Sequence, residues 1–440
     1  MTPRRAVFVA ALATLLSLTA CSQGGADTPK HEPAAASSSA TPAETPAPAQ
    51  PTSPGSSASG PIRSTFFGMH DGRVTLGVVP PAPVGALRFW DSGTNWRDLE
   101  PARGQFAWGG LDTAVAAAEK AHARPLLVLG QSPTFYASKP NEAGAYGAGA
   151  ASMPDLGAWR RYVTAVVQRY GDRLDYQVWN EANVVGYWTG TPRQMALLTV
   201  TAGRIIHHVA PHATVVAPPF VQRLSSQRRS FQSFWVLQSK GVPLVAAVDA
   251  VALNLYPRAE DPPEAQIGLF KHASSVLERL GVRLPVWNTE INFGLMGGPQ
   301  PPPISAEQQR AFLMRTYILN AGLGVPRVYW YRWDLVPIAN TLLTTPDFST
   351  PTLAGQAYST VRTWLLGARM ESCDRNDDRW TCTGRRAGTE LTFTWKPHGP
   401  PARVTVGAGS TWTDADGHMS GCPHGCRPTA GQTPIMITTP

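Results

Sequence analysis

Apolar runs of strand length alternate with segments of helical periodicity over some three hundred residues of this chain, and that alternation restricts the fold more than any other feature. Strands are predicted at 65–70, 86–90, 125–129, 174–179, 214–217, 250–255, 286–289 and 327–331. Helices are predicted between them at 111–122, 155–170, 192–209, 231–240, 263–280 and 306–321, and after the last strand at 353–366; only the first connection, near 74–83, lacks one. Runs such as Leu126-Leu127-Val128-Leu129 show no polar alternation, which fits strands of a parallel sheet covered on both faces. Eight strand–helix repeats predict an α/β fold, a (β/α)8 TIM barrel over 62–367. A doubly wound sheet would carry a glycine-rich phosphate turn after its first strand, and neither G-x-G-x-x-G nor a Walker sequence is present. After residue 366 the texture changes to short strands at 368–373, 380–383, 391–395 and 403–406, separated by Gly, Pro and Asp. This predicts a small C-terminal β domain over 368–440.

The beginning of the chain reads as a transport address. Arg4 and Arg5 precede an apolar stretch at 6–18, too short to span a membrane, and L-T-A-C closes at Cys21. Residues 1–21 are therefore expected to be an export signal whose ending resembles a bacterial lipobox, with Cys21 lipidated; a plain signal peptide with a chance cysteine is the alternative. The Ala/Pro/Ser/Thr-rich stretch 22–61 has too little apolar surface to order itself and is expected to be a tether. The expected location is the outer face of a bacterial cell membrane, or outside the cell. The other four cysteines fit export as two local disulfides, Cys373 with Cys382 and Cys422 with Cys426. Two Cys and one His in C-P-H-G-C make a poor metal set, so no metal and no cofactor are expected. The net charge of +8 is modest for 440 residues and its basic clusters are brief, which argues against nucleic acid as a partner. Fourteen tryptophans in a chain with only 15% charged residues point instead to sugars, whose apolar faces stack on aromatic rings. A monomer is expected.

Barrel enzymes place their chemistry where the strands end. Here those ends carry His70, Arg88 with Asp91, Gln131, Asn180 with Glu181, Asn254 with Tyr256, Glu290 with Asn292, and Trp330 with Arg332 and Trp333. Two of them look alike: Trp179-Asn180-Glu181 closes the fourth strand and Trp287-Asn288-Thr289-Glu290 the seventh. Two carboxyl groups facing each other across a cleft suit cleavage of a glycosidic bond. Trp90, Trp159, Trp287 and Trp364 read as core, and Trp188 is open to either role.

With N-E at the fourth strand end and Glu at the seventh, the stretch 65–366 resembles the retaining glycoside hydrolases of clan A. The segment W-R-D-L-E-P-A-R-G-Q-F-A-W-G-G-L-D at 96–112 is similar to the loop and helix start after their second strand, and the likeness is greatest to family 39-type enzymes, β-xylosidases and exopolysaccharide glycosidases among them. The resemblance implies Glu181 as acid/base and Glu290 as nucleophile. It further implies Asn180 on the sugar hydroxyl beside the anomeric carbon, and Arg88 and Tyr256 on the Glu290 carboxylate. Trp333 or Trp330 would serve as sugar platform, and His70 and Asn254 would contact substrate hydroxyls. The loops at 132–153 and 294–303 match no subfamily, which leaves three substrates open: a β-linked plant polymer, a bacterial exopolysaccharide, or a glycan of the producer's own envelope. A non-catalytic glycan-binding lipoprotein and a transglycosylase using the same residues are the rival readings.

Overall fold

The computed structural model describes residues 60–293, 304–334 and 341–440. The expected leader, the tether up to residue 59 and the loop at 294–303 lie outside the described residues.

Parallel strands β1 (Phe67–Met69), β2 (Ala86–Phe89), β3 (Arg124–Leu129), β4 (Asp175–Val178), β5 (Val215–Val216), β6 (Phe220–Val221), β7 (Val251–Asn254), β8 (Val286–Ile291) and β9 (Val328–Trp330) run in the order β5-β4-β3-β2-β1-β9-β8-β7-β6. β5 and β6 are two pieces of the fifth barrel strand. Pro218 and Pro219 stand between them, and a proline has no N–H for a ladder, so the predicted strand at 214–217 is followed by a second piece beyond its bounds. β5 pairs with β4, β6 pairs with β7, and a bridge from Val216 to Ala250 closes the ring. The fold is a TIM barrel followed by a β domain, as expected.

The connecting helices are α1 (Trp96–Leu99), α2 (Gly109–Lys120), α3 (Leu156–Tyr170), α4 (Pro192–Val209), α5 (Ser225–Ser239), α6 (Ala265–Arg279), α7 (Ala306–Gly322) and α8 (Leu353–Leu365). Local chemistry fixes several starts. α4 opens on Thr191 and Gln194 in a reciprocal capping box with Pro192 in its first turn, and α7 on Ser305 and Gln308 in another. α5 begins six residues before the predicted 231, because its first turns, Ser225-Ser226-Gln227-Arg228-Arg229-Ser230, carry no apolar stripe.

Side chains alternate between the two faces of the barrel wall. Ala86, Leu126, Val216, Ala250, Ala252, Trp287 and Tyr329 form one buried cluster inside the barrel. Leu87, Phe89, Leu127, Leu129, Val251, Leu253, Val328 and Trp330 belong to the larger core between sheet and helices.

The C-terminal domain comprises β10 (Arg369–Asn376), β11 (Arg379–Arg386), β12 (Thr389–Trp395), β13 (Ala402–Arg403), β14 (Ser410–Thr413), β15 (Met419–Cys422), β16 (Thr429–Ala430) and β17 (Ile435–Thr439). Six of these form a sheet in the order β10-β11-β12-β17-β14-β15, while β13 and β16 pair alone. Cys373–Cys382 and Cys422–Cys426 are the two disulfides, in the expected pairing. The domain packs directly on the barrel. Gly322 at the end of α7 has no room for a Cβ beside Cys373, the Trp395 indole donates to Glu264 Oε1 at 2.7 Å, and Arg386 donates to Thr363 O at 2.8 Å behind α8. α7 is consequently buried on all sides over 313–321, and its Arg315 lies there in a two-pronged pair with Glu264.

Candidate active site

The same alternation that fills the barrel carries polar groups into its mouth. On β2, Ala86 faces inward, Leu87 outward and Arg88 inward; by the same count Gln177 on β4 and Asn254 on β7 point to the axis. Arg88 is 1% exposed and each of its three nitrogens is engaged: Nε to Gln177 Oε1 at 2.7 Å, one terminal nitrogen to Glu290 Oε2 at 2.8 Å and the other to Asn180 Oδ1 at 2.8 Å. The second oxygen of Glu290 accepts from the Tyr256 hydroxyl at 2.7 Å. Glu181 accepts from Asn254 Nδ2 at 3.0 Å, and Asn254 Oδ1 in turn accepts from Thr289 Oγ1 at 2.9 Å. Asn254 is also the register partner of Glu290 across β7 and β8. One asparagine therefore touches the first glutamate and neighbours the second, so the two acids, far apart along the chain, meet over one opening.

The backbone is bent to achieve this. Asp91, Gln131, Trp179 and Glu181, each at or just past a strand end, have φ of 57°, 67°, 63° and 42°. A non-glycine residue in the left-handed region costs on the order of 1–3 kcal/mol, and such outliers gather where function requires them.

Burial pushes both carboxyls above the ordinary glutamate range. For Glu290 it does so to about 8, opposed by the Arg88 guanidinium and the Tyr256 hydroxyl and reinforced by the nearby Glu181 and Asp91 charges. For Glu181 burial is again the main cause, opposed by the Asn254 amide and by Arg223 and Arg88. Two such neighbours hold one proton between them. Enclosure alone would leave the charge on Glu181, because Glu290 is only 6% exposed. The directed donors decide otherwise: Glu290 has a cation and a phenol aimed at its two oxygens, and Glu181 has one neutral amide. We therefore place the negative charge on Glu290 and the proton on Glu181.

This assignment makes a stability prediction. A carboxyl whose folded value is raised contributes stability that is fully present below its unfolded value, near 4.5, and is lost as pH rises through the folded value. The neutral Glu181→Gln variant should match the wild type in melting temperature near pH 4 and exceed it at pH 8. A wild type that is the more stable of the two at pH 8 would contradict the protonated assignment.

Several expected residues lie elsewhere than the sequence reading put them. Trp330 is 0% exposed and points away from the axis, against Tyr317 and Phe293. Trp333 is 1% exposed and belongs to the same outer core. Neither ring offers an open face, so the expected sugar platform is corrected. His70 is 0% exposed, its Nε2 3.2 Å from Thr289 O, and burial followed by the Arg88 charge holds its pKa well below the ordinary range. It points to the barrel axis, one residue past the outward Met69, and braces the residue before Glu290. Trp188 is core, edge-on to Trp179 at 5.0 Å.

Other residues of the site escaped the sequence reading. Gln177 anchors Arg88, and its only signal is a polar side chain at an inward position of an apolar run. Tyr331 donates to Asp91 Oδ2 at 2.7 Å. Tyr187 stands close enough to Glu181, Asp91 and Glu290 that their charges, after burial, raise its hydroxyl well above the ordinary range. It clusters with Trp90 and Tyr146, ring centroids 5.0–6.1 Å apart, and the partly exposed Tyr146 and Tyr187 are the aromatic surface at the mouth.

No family model matches the chain, and no curated protein matches it. Solved structures do. A family 39 glycoside hydrolase from Bacteroides cellulosilyticus superposes with a TM-score of 0.67 at 17% identity, covering 86% of this chain and 81% of that one. A monomeric β-xylosidase from Caulobacter crescentus gives 0.62 at 15% identity over 87% of this chain and 98% of its own. A family 30 endoxylanase from Clostridium papyrosolvens gives 0.56 at 12% identity, with coverages of 86% and 98%. The chain thus has the fold found in clan A glycoside hydrolases, and most resembles those of family 39.

Proposed function

We propose that this chain is a retaining glycoside hydrolase that cleaves β-linked O-glycosidic bonds of an oligo- or polysaccharide. The observation that carries the reading is the convergence of Glu181 and Glu290 on Asn254, with Arg88 and Tyr256 fixing the Glu290 carboxylate. In the first step a Glu290 oxygen forms a bond to the anomeric carbon as the bond to the leaving oxygen breaks, and the Glu181 proton passes to that oxygen. Once Glu290 is esterified its charge is gone, so the Glu181 carboxyl falls in pKa and takes a proton from water. That water attacks the anomeric carbon and frees Glu290. Asn180, held by Arg88 through its carbonyl oxygen, has its amide nitrogen left for the hydroxyl beside the anomeric carbon.

The test is incubation of the full chain, in detergent, with a panel of aryl β-glycosides and oligosaccharides, followed by product analysis. The reading expects free sugar released with its anomeric configuration retained. Binding without turnover would make the protein a glycan-binding module, longer oligosaccharides a transglycosylase, and inverted sugar would remove the double displacement. The β-xylosidase from Caulobacter crescentus is monomeric, and a monomer is proposed here as well.

We also infer that Cys21, outside the described residues, carries a lipid that holds the enzyme at the outer face of the cell membrane. Cys21→Ala should shift the protein from the membrane to the soluble fraction of expressing cells; unchanged fractionation would refute the anchor.

A further inference from the structure

The proposed reaction employs two acids, yet a third stands in the same mouth. Asp91 follows β2, three residues beyond Arg88, in the left-handed backbone region at φ 57°. Its Oδ2 accepts from the Tyr331 hydroxyl at 2.7 Å. Among the described residues nothing bonds to its Oδ1, and no arginine or lysine pairs with its carboxylate. Arg332, the neighbouring cation, is committed to Asp334 and reaches Asp91 only through the backbone carbonyl, at 3.3 Å. The side chain is half-buried, and Tyr331, which holds it, packs with Tyr256, the donor to Glu290, so that Asp91 stands beside the opening that the two glutamates share.

Here a strained backbone and a tyrosine hold a carboxylate with one oxygen unclaimed. Around the barrel, Asp91 at the second strand stands across from Asn254 at the sixth, so a ring seated between Glu181 and Glu290 turns its outer hydroxyls toward it. The guanidiniums of Arg332 and Arg88 already compensate part of the Asp91 charge, which suits neutral hydroxyl donors better than an ammonium group.

We propose that Asp91, oriented by Tyr331, accepts hydrogen bonds from non-reacting hydroxyls of the sugar attacked by Glu290, and thereby selects that sugar's stereochemistry. This rests on the hydrolase reading, and the experiment separates the two. kcat/KM is measured for wild type and Asp91→Asn on an aryl glycoside that the wild type cleaves and on its series of monodeoxy analogues. Asparagine tolerates the left-handed backbone, so the fold survives, with the melting temperature as control. The variant should lose about 10- to 100-fold on the parent glycoside, the range for a hydrogen bond to a charged group. On the one analogue lacking the contacted hydroxyl, the two proteins should be nearly equal. Tyr331→Phe should reproduce this pattern with a smaller loss.

An equal loss on every analogue would mean that Asp91 only supports the mouth, and no loss on the parent would mean that it touches nothing; either overturns the proposal. If wild type binds glycosides without cleaving them, the hydrolase reading fails. The same comparison made on Kd then decides the role of Asp91 separately.

Discussion

Glu290→Gly is expected to lower turnover of a β-glycoside by about ten-thousand-fold or more, because it removes the group that forms the glycosyl intermediate rather than one that assists it. Azide, small enough to enter the space left, should restore part of the rate and yield a glycosyl azide of inverted configuration. An azide product of retained configuration would move the nucleophile elsewhere. Glu181→Gln and Glu290→Gln, closer in shape, should each abolish most turnover with the fold intact. Near-wild-type activity in either would remove that residue from its role. The glutamine at 181 should be far less damaging for aryl glycosides with acidic leaving groups, which depart without a proton.

The second large effect is expected at Arg88. Its guanidinium is the hub of the site, joining Gln177, Asn180 and Glu290 with bonds of 2.7–2.8 Å at 1% exposure. Arg88→Met leaves three buried acceptors without a donor and one buried carboxylate without its cation. Breaking a buried pair in this way costs roughly 3–5 kcal/mol of stability, and loss of such preorganised electrostatics costs about 100- to 1000-fold in kcat. The pH profile gives the specific signature. Arg88 lowers the Glu290 pKa, so its removal sends that carboxyl higher still; since the ionised form attacks, the acid limb of kcat/KM should move to higher pH. Arg88→Lys keeps the charge and should hold the limb near its wild-type position while losing the bonds to Gln177 and Asn180. An acid limb that stays fixed in Arg88→Met would show that Arg88 does not govern the ionisation of Glu290.

What the sequence disclosed and what it concealed follow from the same period of two. The barrel was legible because eight apolar runs with helical segments between them admit few folds, and the strand ends could be placed well enough to find Arg88, Glu181, Asn254, Tyr256 and Glu290. Trp330 was misplaced because a position at a strand end does not say which face a side chain takes. Parity does: Tyr329 lies inside the barrel, so Trp330, one residue on, must face the helices. Asp91, Tyr187 and Tyr331 gain their meaning from one another across distant loops, a relation that no local pattern encodes. The strands at 410–413, 419–422 and 429–430 escape the sequence reading because short stretches such as Ser410-Thr411-Trp412-Thr413 and Met419-Ser420-Gly421-Cys422 resemble turns until they pair; Ile435-Met436-Ile437 is apolar enough to have been read as a strand and was not.

The most direct measurement captures the intermediate. Glu181→Gln, mixed with dinitrophenyl β-glycosides that need no acid to depart, should accumulate a glycosyl-enzyme, and peptide mass mapping should find one sugar residue esterified to Glu290. A sugar found on any other side chain, or release of dinitrophenol as inverted sugar with no adduct, would contradict the double displacement on which this account stands.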